Sequence, residues 1–144
     1  MESTGTPTSS TRAVIERLLE ATNDHDLDVQ VDCFAPDYVN ETPGHPLRGF
    51  SGRKQVRRNW TQIFAAVPDL VATINGWAED GSAVWTEWAM SGRRLDGTPH
   101  QMAGVVIFTV RDDRITAARF YLEPVEASSG DVNDAVRAQL SGRS

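Results

Sequence analysis

Residues 56–77, VRRNWTQIFAAVPDLVATINGW, change their hydrophobic period partway along, and that change decides the fold. Up to Val67 the apolar positions are Val56, Trp60, Ile63, Phe64 and Val67, spaced i, i+4, i+7, i+8 and i+11. This is one stripe of an amphipathic helix. Pro68 ends it, because a proline ring removes a backbone donor and clashes with the preceding turn. From there a meander of strands is expected at about 69–78, 83–92, 100–110 and 114–123, with turns at Asp80-Gly81, at Asp96-Gly97 with Pro99, and at Asp112-Asp113.

Upstream of the quoted stretch, Ser51 or Gly52 opens the same helix. Asp26 is a good cap for a shorter helix carrying Leu27, Val31 and Phe34, which stops before Pro36. Thr11 can cap a first helix whose apolar residues are Val14, Ile15, Leu18 and Leu19. Between the second and third helices, YVNETPGHP (38–46) reads as a short strand running into a loop stiffened by Pro43 and Pro46. Helices first and antiparallel strands afterwards give an α+β class, with the helices covering one face of a sheet.

A chain of 144 residues holds one core, so residues 11–125 are read as one domain. Residues 1–10 read as a disordered leader, and 126–144 as a mobile polar tail with a short helix at 131–140. The net charge of −6 argues against nucleic acid, whose phosphates need clustered Lys and Arg. The local run Arg53-Lys54 and Arg57-Arg58 reads as a solvated helix face. No segment approaches the ~20 apolar residues of a membrane span. MESTGTPTSS lacks the basic start and apolar run of a secretory signal, and a single cysteine, Cys33, cannot form an internal disulfide. Cys33 is read as a buried structural thiol and the protein as cytoplasmic.

The segments CFAPDYVNETPGHP, RGFSGRKQVRRNW, AVWTEWAMSG and RITAARFYLEP, in this order, resemble the nuclear-transport-factor-2-like superfamily, specifically its SnoaL-like polyketide cyclase branch. The chain is also similar to limonene-1,2-epoxide hydrolase. The resemblance implies a cone-shaped fold, with three N-terminal helices packed on a curved, mostly antiparallel sheet that encloses a pocket. It further implies a homodimer through the outer sheet face, with Arg119, Tyr121, Trp85 and Glu87 as candidate contacts. Superfamily members include isomerases, hydrolases, cyclases and non-catalytic binding modules, so the fold leaves the reaction open.

Strand residues alternate between faces, which divides the last strand into Ile115, Ala117, Arg119, Tyr121 and Glu123 on one side and Thr116, Ala118, Phe120 and Leu122 on the other. By the resemblance, the catalytic aspartate position five residues after Ile115 is Phe120, which turns the Phe120 set toward the pocket. The epoxide hydrolase Arg and Asp positions carry over to Trp88 and Met90, and the cyclase histidine position to Val106. All four are apolar, so neither the Asp–Arg–Asp set nor the His–Asp pair can be read here. Residues expected to line the pocket are Tyr38, Thr42, Trp60, Phe64, Thr86, Trp88, Met90, Met102, Val106, Phe120 and Leu122.

Three groups remain as catalytic candidates. His100 falls on the pocket parity near the mouth, and a histidine near its neutral pKa is a usual general acid–base; the alternative is a solvated turn histidine. Asn40 shares pocket parity with Thr42 and can hold a substrate oxygen, or else satisfy the following loop. Glu123 lies on the outer parity, and only a bend before Pro124 would turn it inward. Glu41 and His45 are too few for a metal site, and no cofactor is expected. The ligand is then a small hydrophobic molecule, polyketide-like or terpenoid. It is either transformed by a cyclase or isomerase of secondary metabolism or simply bound, with epoxide hydrolysis a lesser alternative.

Overall fold

The computed structural model describes residues 10–126 and 130–141. Helix α1 (Ser10–Asp24) is followed by α2 (Leu27–Asp32), β1 (Phe34–Glu41), a single 3₁₀ turn (Pro46–Arg48), β2 (Phe50–Ser51) and α3 (Arg53–Ala66). Then come β3 (Val71–Asp80), β4 (Ala83–Arg93), β5 (Pro99–Arg111), β6 (Arg114–Pro124) and a final helix α4 (Val132–Leu140). The six strands form one sheet in the order β2-β1-β6-β5-β4-β3, with β1 parallel to β6 and every other pair antiparallel. The fold is the expected α+β cone, with α1–α3 on the concave face of the sheet.

Local chemistry explains most boundaries. Asp26 caps α2 by accepting from the Val29 amide, as its sequence position predicts. Thr11 does not cap α1, which is already helical at Ser10. Of the leader expected at 1–10, only Ser10 falls among the described residues, and it belongs to this helix. α2 stops at Asp32, earlier than its apolar spacing suggests, because Phe34 already pairs with Ile115 in the sheet. β1 therefore starts four residues before Tyr38 and runs through Pro36. Proline has no N–H for the ladder, and the β1–β6 register shifts between Phe34 and Val39 to accommodate it. The tail helix anticipated at 131–140 is α4, whose N-cap Asp131 forms a reciprocal capping box with Asp134.

The helices are tied to the sheet at one corner. The Asn23 side chain both donates to the Ala72 carbonyl (2.9 Å) and accepts from the Ala72 amide (2.7 Å), so α1 completes the edge of β3. Next to it His25, in a left-handed conformation that ends α1, donates to the Leu70 carbonyl at 2.8 Å and stacks on Phe64 of α3. Ile15, Leu70, Val84, Phe108 and Ile115 are almost completely buried in the core between these layers.

Register fixes which side chains face the helices. Across β4, β5 and β6 the aligned rows are Thr86–Val106–Phe120, Trp88–Gly104–Leu122 and Val84–Phe108–Ala118 on the concave side. The rows Trp85–Ile107–Arg119 and Glu87–Val105–Tyr121 lie on the convex side. The parity assigned to the last strand is therefore the observed one.

At Gly104 the β6 backbone stands close over β5. The Gly104 φ is +150°, and an added Cβ would lie 2.0 Å from the Tyr121 carbonyl oxygen. Gly104→Ala is expected to cost at least about 2 kcal/mol in urea unfolding, because backbone rather than a flexible side chain would have to move. Gly44→Ala, where no atom lies within 4 Å of the added carbon, should change stability by less than about 0.5 kcal/mol.

Candidate functional site

The concave face encloses a cavity of about 380 Å³ between α3, the loop after β1 and the far ends of β4, β5 and β6. Its walls are mainly apolar: Phe34 and Phe50, Trp60 and Ile63 from α3, and Met90, Met102, Phe120 and Leu122 from the sheet. A narrow extension of about 30 Å³ runs deeper, between Trp88, Val106 and Phe108. This matches the usual ligand site, a mostly apolar concavity with a few polar groups to fix orientation.

Tyr38, Asn40, Thr42, Trp60, Met90, Met102, Phe120, Leu122 and His100, all expected at the pocket, do line the main cavity. Trp88 and Val106 line the deep extension. Thr86 lies behind the wall. Its hydroxyl donates to the Val106 carbonyl and accepts from the Trp88 indole N–H, each at 2.7 Å, so it fixes the Trp88 ring without meeting the cavity. Phe64 departs from expectation: it lines neither compartment and packs on His25, with ring centroids 4.3 Å apart. Its position in the helical stripe is correct, but that part of the stripe faces the end of α1.

Glu123 also departs from the inward orientation considered for it. It pairs across the sheet with Ala103 and keeps its outer parity. Its carboxylate accepts from His45 Nε2 at 3.0 Å and stands 4.0 Å from Arg48, outside the cavity wall. No bend brings it in, because the loop after β1 supplies partners where it already lies.

Two polar lining residues escape sequence reasoning. Asn59 is on α3 next to Trp60, and its side-chain oxygen accepts from Gln55 at 2.8 Å. Arg48 ends the 3₁₀ turn and reaches the mouth. A helical position just off the apolar stripe gives Asn59 a weak signal; Arg48 has none, since loop direction is not periodic.

The main cavity holds a polar pair on β1. Buried Tyr38 donates its hydroxyl proton to Asn40 Oδ1 at 2.7 Å. Burial pushes the Tyr38 pKa far up, so the phenol keeps that proton. With its oxygen satisfied, the Asn40 amide presents N–H groups, and Asn40 lines the cavity. At the mouth, His100 has a pKa below the ordinary 6.5, first because it is partly desolvated and second because Arg94 lies near. Arg94 is held there by hydrogen bonds to Thr98 and the Pro99 carbonyl. His100 is thus a neutral imidazole at pH 7. Among the described lining residues no Asp or Glu occurs.

Residues 15–118 match the SnoaL-like domain family, and the chain belongs to that family. Among solved structures it is similar to a loop-truncation variant of IdmH, at 28% identity over 78% of this chain and 91% of that one, with a TM-score of 0.67. It also superposes on an LEH-like epoxide hydrolase from M. tuberculosis (24% identity, 94% and 92% covered, TM-score 0.69). A candidate polyketide cyclase from Sinorhizobium meliloti superposes likewise (24% identity, 81% and 100% covered, TM-score 0.61). These structures share the nuclear-transport-factor-2-like fold. A comparison with proteins of curated function found no match.

The lowered pKa has a definite sign. The folded state holds the His100 proton less tightly than the unfolded chain, so this group lowers stability as pH falls through 6.5 and is neutral in effect well above it. An NMR titration should place His100 below 6.5, and Arg94→Gln should restore only part of the difference, since desolvation is the larger cause. A His100 pKa at or above 6.5 would contradict this account of the site.

Proposed function

We propose that the protein is a cofactor-independent cyclase or isomerase of secondary metabolism, acting on a small hydrophobic polyketide-like or terpenoid intermediate. The observation that carries this reading is one apolar cavity lined by both an amide donor held in one orientation and a neutral histidine. A flexible substrate pressed between Trp60, Met102, Phe120 and Leu122 loses conformations that do not lead to reaction, and such positioning can lower a barrier by several kcal/mol. Neutral His100 accepts a proton from the carbon beside a substrate carbonyl. The C–H electron pair moves into the adjoining bond and the carbonyl oxygen takes up the negative charge. Asn40 donates to that oxygen, with Tyr38 holding the amide in place. Returning the proton to another carbon completes an isomerisation; attack of the enolate carbon on a second carbonyl closes a ring, and the alkoxide so formed takes the proton back from His100.

A second reading, a module that binds a hydrophobic ligand without changing it, is favoured by the apolar residues Phe120, Val106, Trp88 and Met90 at the positions where related enzymes carry acids, a base or a cation. The same observation weighs against epoxide opening, which needs the carboxylates absent from the described lining residues. The quaternary arrangement we propose is a homodimer through the convex face, where Trp85 and Tyr121 are 45% and 46% exposed; a monomeric mass in solution would count against it. No described helix is long and apolar enough to cross a membrane, and a cytoplasmic site of action fits the single buried thiol.

Hydrogen–deuterium exchange at the α-carbon of 2-tetralone, followed by NMR in heavy water, separates enzyme from binder. The wild-type protein should accelerate exchange, and His100→Ala should lower the acceleration about 100-fold, the scale of one general base. Asn40→Ala should lower it about as much, because an oxyanion donor is worth about 100-fold. Binding of the ketone with exchange no faster than in buffer would favour the binding module.

A further inference from the structure

The polar ends of the cavity are unequal, and that inequality identifies the ligand more closely. The inference rests on reading the cavity as the ligand site. Among the described lining residues Arg48 is the sole permanent charge: no carboxylate or lysine joins it, and His100 is neutral. Everything deeper is apolar or a neutral hydrogen-bonding group. A lining that is otherwise neutral and carries one cation favours a ligand with one anionic group.

Arg48 is set there by backbone rather than chance. Its amide donates to the His45 carbonyl at 2.9 Å, and the Gly49 amide closes the turn on Pro46 at 3.2 Å. Gly49 packs against the carbonyl of Asn40, so the turn rests directly on β1 beside the Tyr38–Asn40 pair. The guanidinium has only a loose partner in the protein. Glu123 stands 4.0 Å away, and that carboxylate already accepts a 3.0 Å hydrogen bond from His45. Both Arg48 and Glu123 are about half exposed or more, and an ion pair of this kind contributes little, so exchanging Glu123 for a ligand group costs little.

We propose that the ligand is a free carboxylic acid: a flat apolar body seated against Trp60 and Phe120, with its carboxylate at the mouth held by Arg48. A guanidinium and a carboxylate form two parallel charge-assisted hydrogen bonds, which an ester or amide cannot reproduce. Since the chain carries a net charge of −6, an anion gains little from the protein's overall field, and its selection depends on the cation that lines the cavity.

The test uses a pair of fluorescent probes matched in shape, anthracene-2-carboxylic acid and anthracene-2-carboxamide, titrated into the intact protein. The acid should bind about tenfold more tightly, the scale of one charge-assisted contact at a partly exposed site, and the preference should shrink as salt is raised. Arg48→Gln should abolish the preference while leaving carboxamide affinity unchanged, and Arg48→Lys should retain part of it. Glu123→Gln, which removes the competing carboxylate, should strengthen acid binding. Equal affinity of the wild type for the two probes, or an acid preference that survives Arg48→Gln, would overturn the proposal and leave the cavity as a site for neutral ligands. A parallel loss of both probes in Arg48→Gln would also overturn it, since Arg48 would then shape the mouth rather than select charge. If neither probe binds the wild type, the reading of the cavity as a ligand site falls as well.

Discussion

The register of β5 between β4 and β6 is the constraint on which the rest depends. Strand pairing has a period of two, so a slip of β5 by one residue would exchange its concave set for its convex set. Met102, Val106 and Phe108 would then leave the concave face, and Val105 and Ile107 would meet the helices. Gly104 helps to hold this register. It allows β5 to approach the Tyr121 carbonyl more closely than any residue with a Cβ could. It also leaves the row Trp88–Gly104–Leu122 without a central side chain, which keeps open space on the concave face.

Around that space the protein separates its polar groups by depth. Tyr38 and Asn40 are buried and spend their strongest hydrogen bond on each other, so a fixed N–H donor stands among aromatic walls at little desolvation cost. His100 and Arg48 remain near the mouth, where partial solvation supports their hydration. A molecule that fills the cavity therefore meets a neutral donor on β1 and reaches both a weak base and a cation at the opening.

Periodicity made much of this legible from sequence. The α3 stripe and the strand meander follow from spacings of 3.6 and 2, while the family resemblance chose which strand parity turns inward; together they place seven of the expected lining residues, with Asn40 and His100, in the main cavity. Where periodicity stops, legibility stops. Phe64 belongs to the right helical face but lies too near the end of α1, where His25 covers it, and nothing local in the sequence announces that stack. Pro36 looked like a boundary, yet a register shift absorbs it within β1. The partners of Glu123 and the inward reach of Arg48 depend on how one loop folds back over the sheet, a long-range contact carrying no local pattern.

The make-up of the cavity lining also determines what kind of base His100 can be. A carboxylate close to a histidine stabilises the imidazolium and raises its pKa. Here no carboxylate lines the cavity among the described residues, while partial burial and the Arg94 guanidinium both act in the opposite direction. His100 therefore begins neutral and acts first as a proton acceptor. When it does, the imidazolium forms in surroundings that disfavour it, so the proton is readily given up again. That asymmetry suits a reaction in which one proton is taken from a carbon and soon returned, and it suits poorly a step that must first protonate an epoxide or a leaving group. A cavity whose described lining holds no carboxylate thus lacks an acid and at the same time favours a transient base.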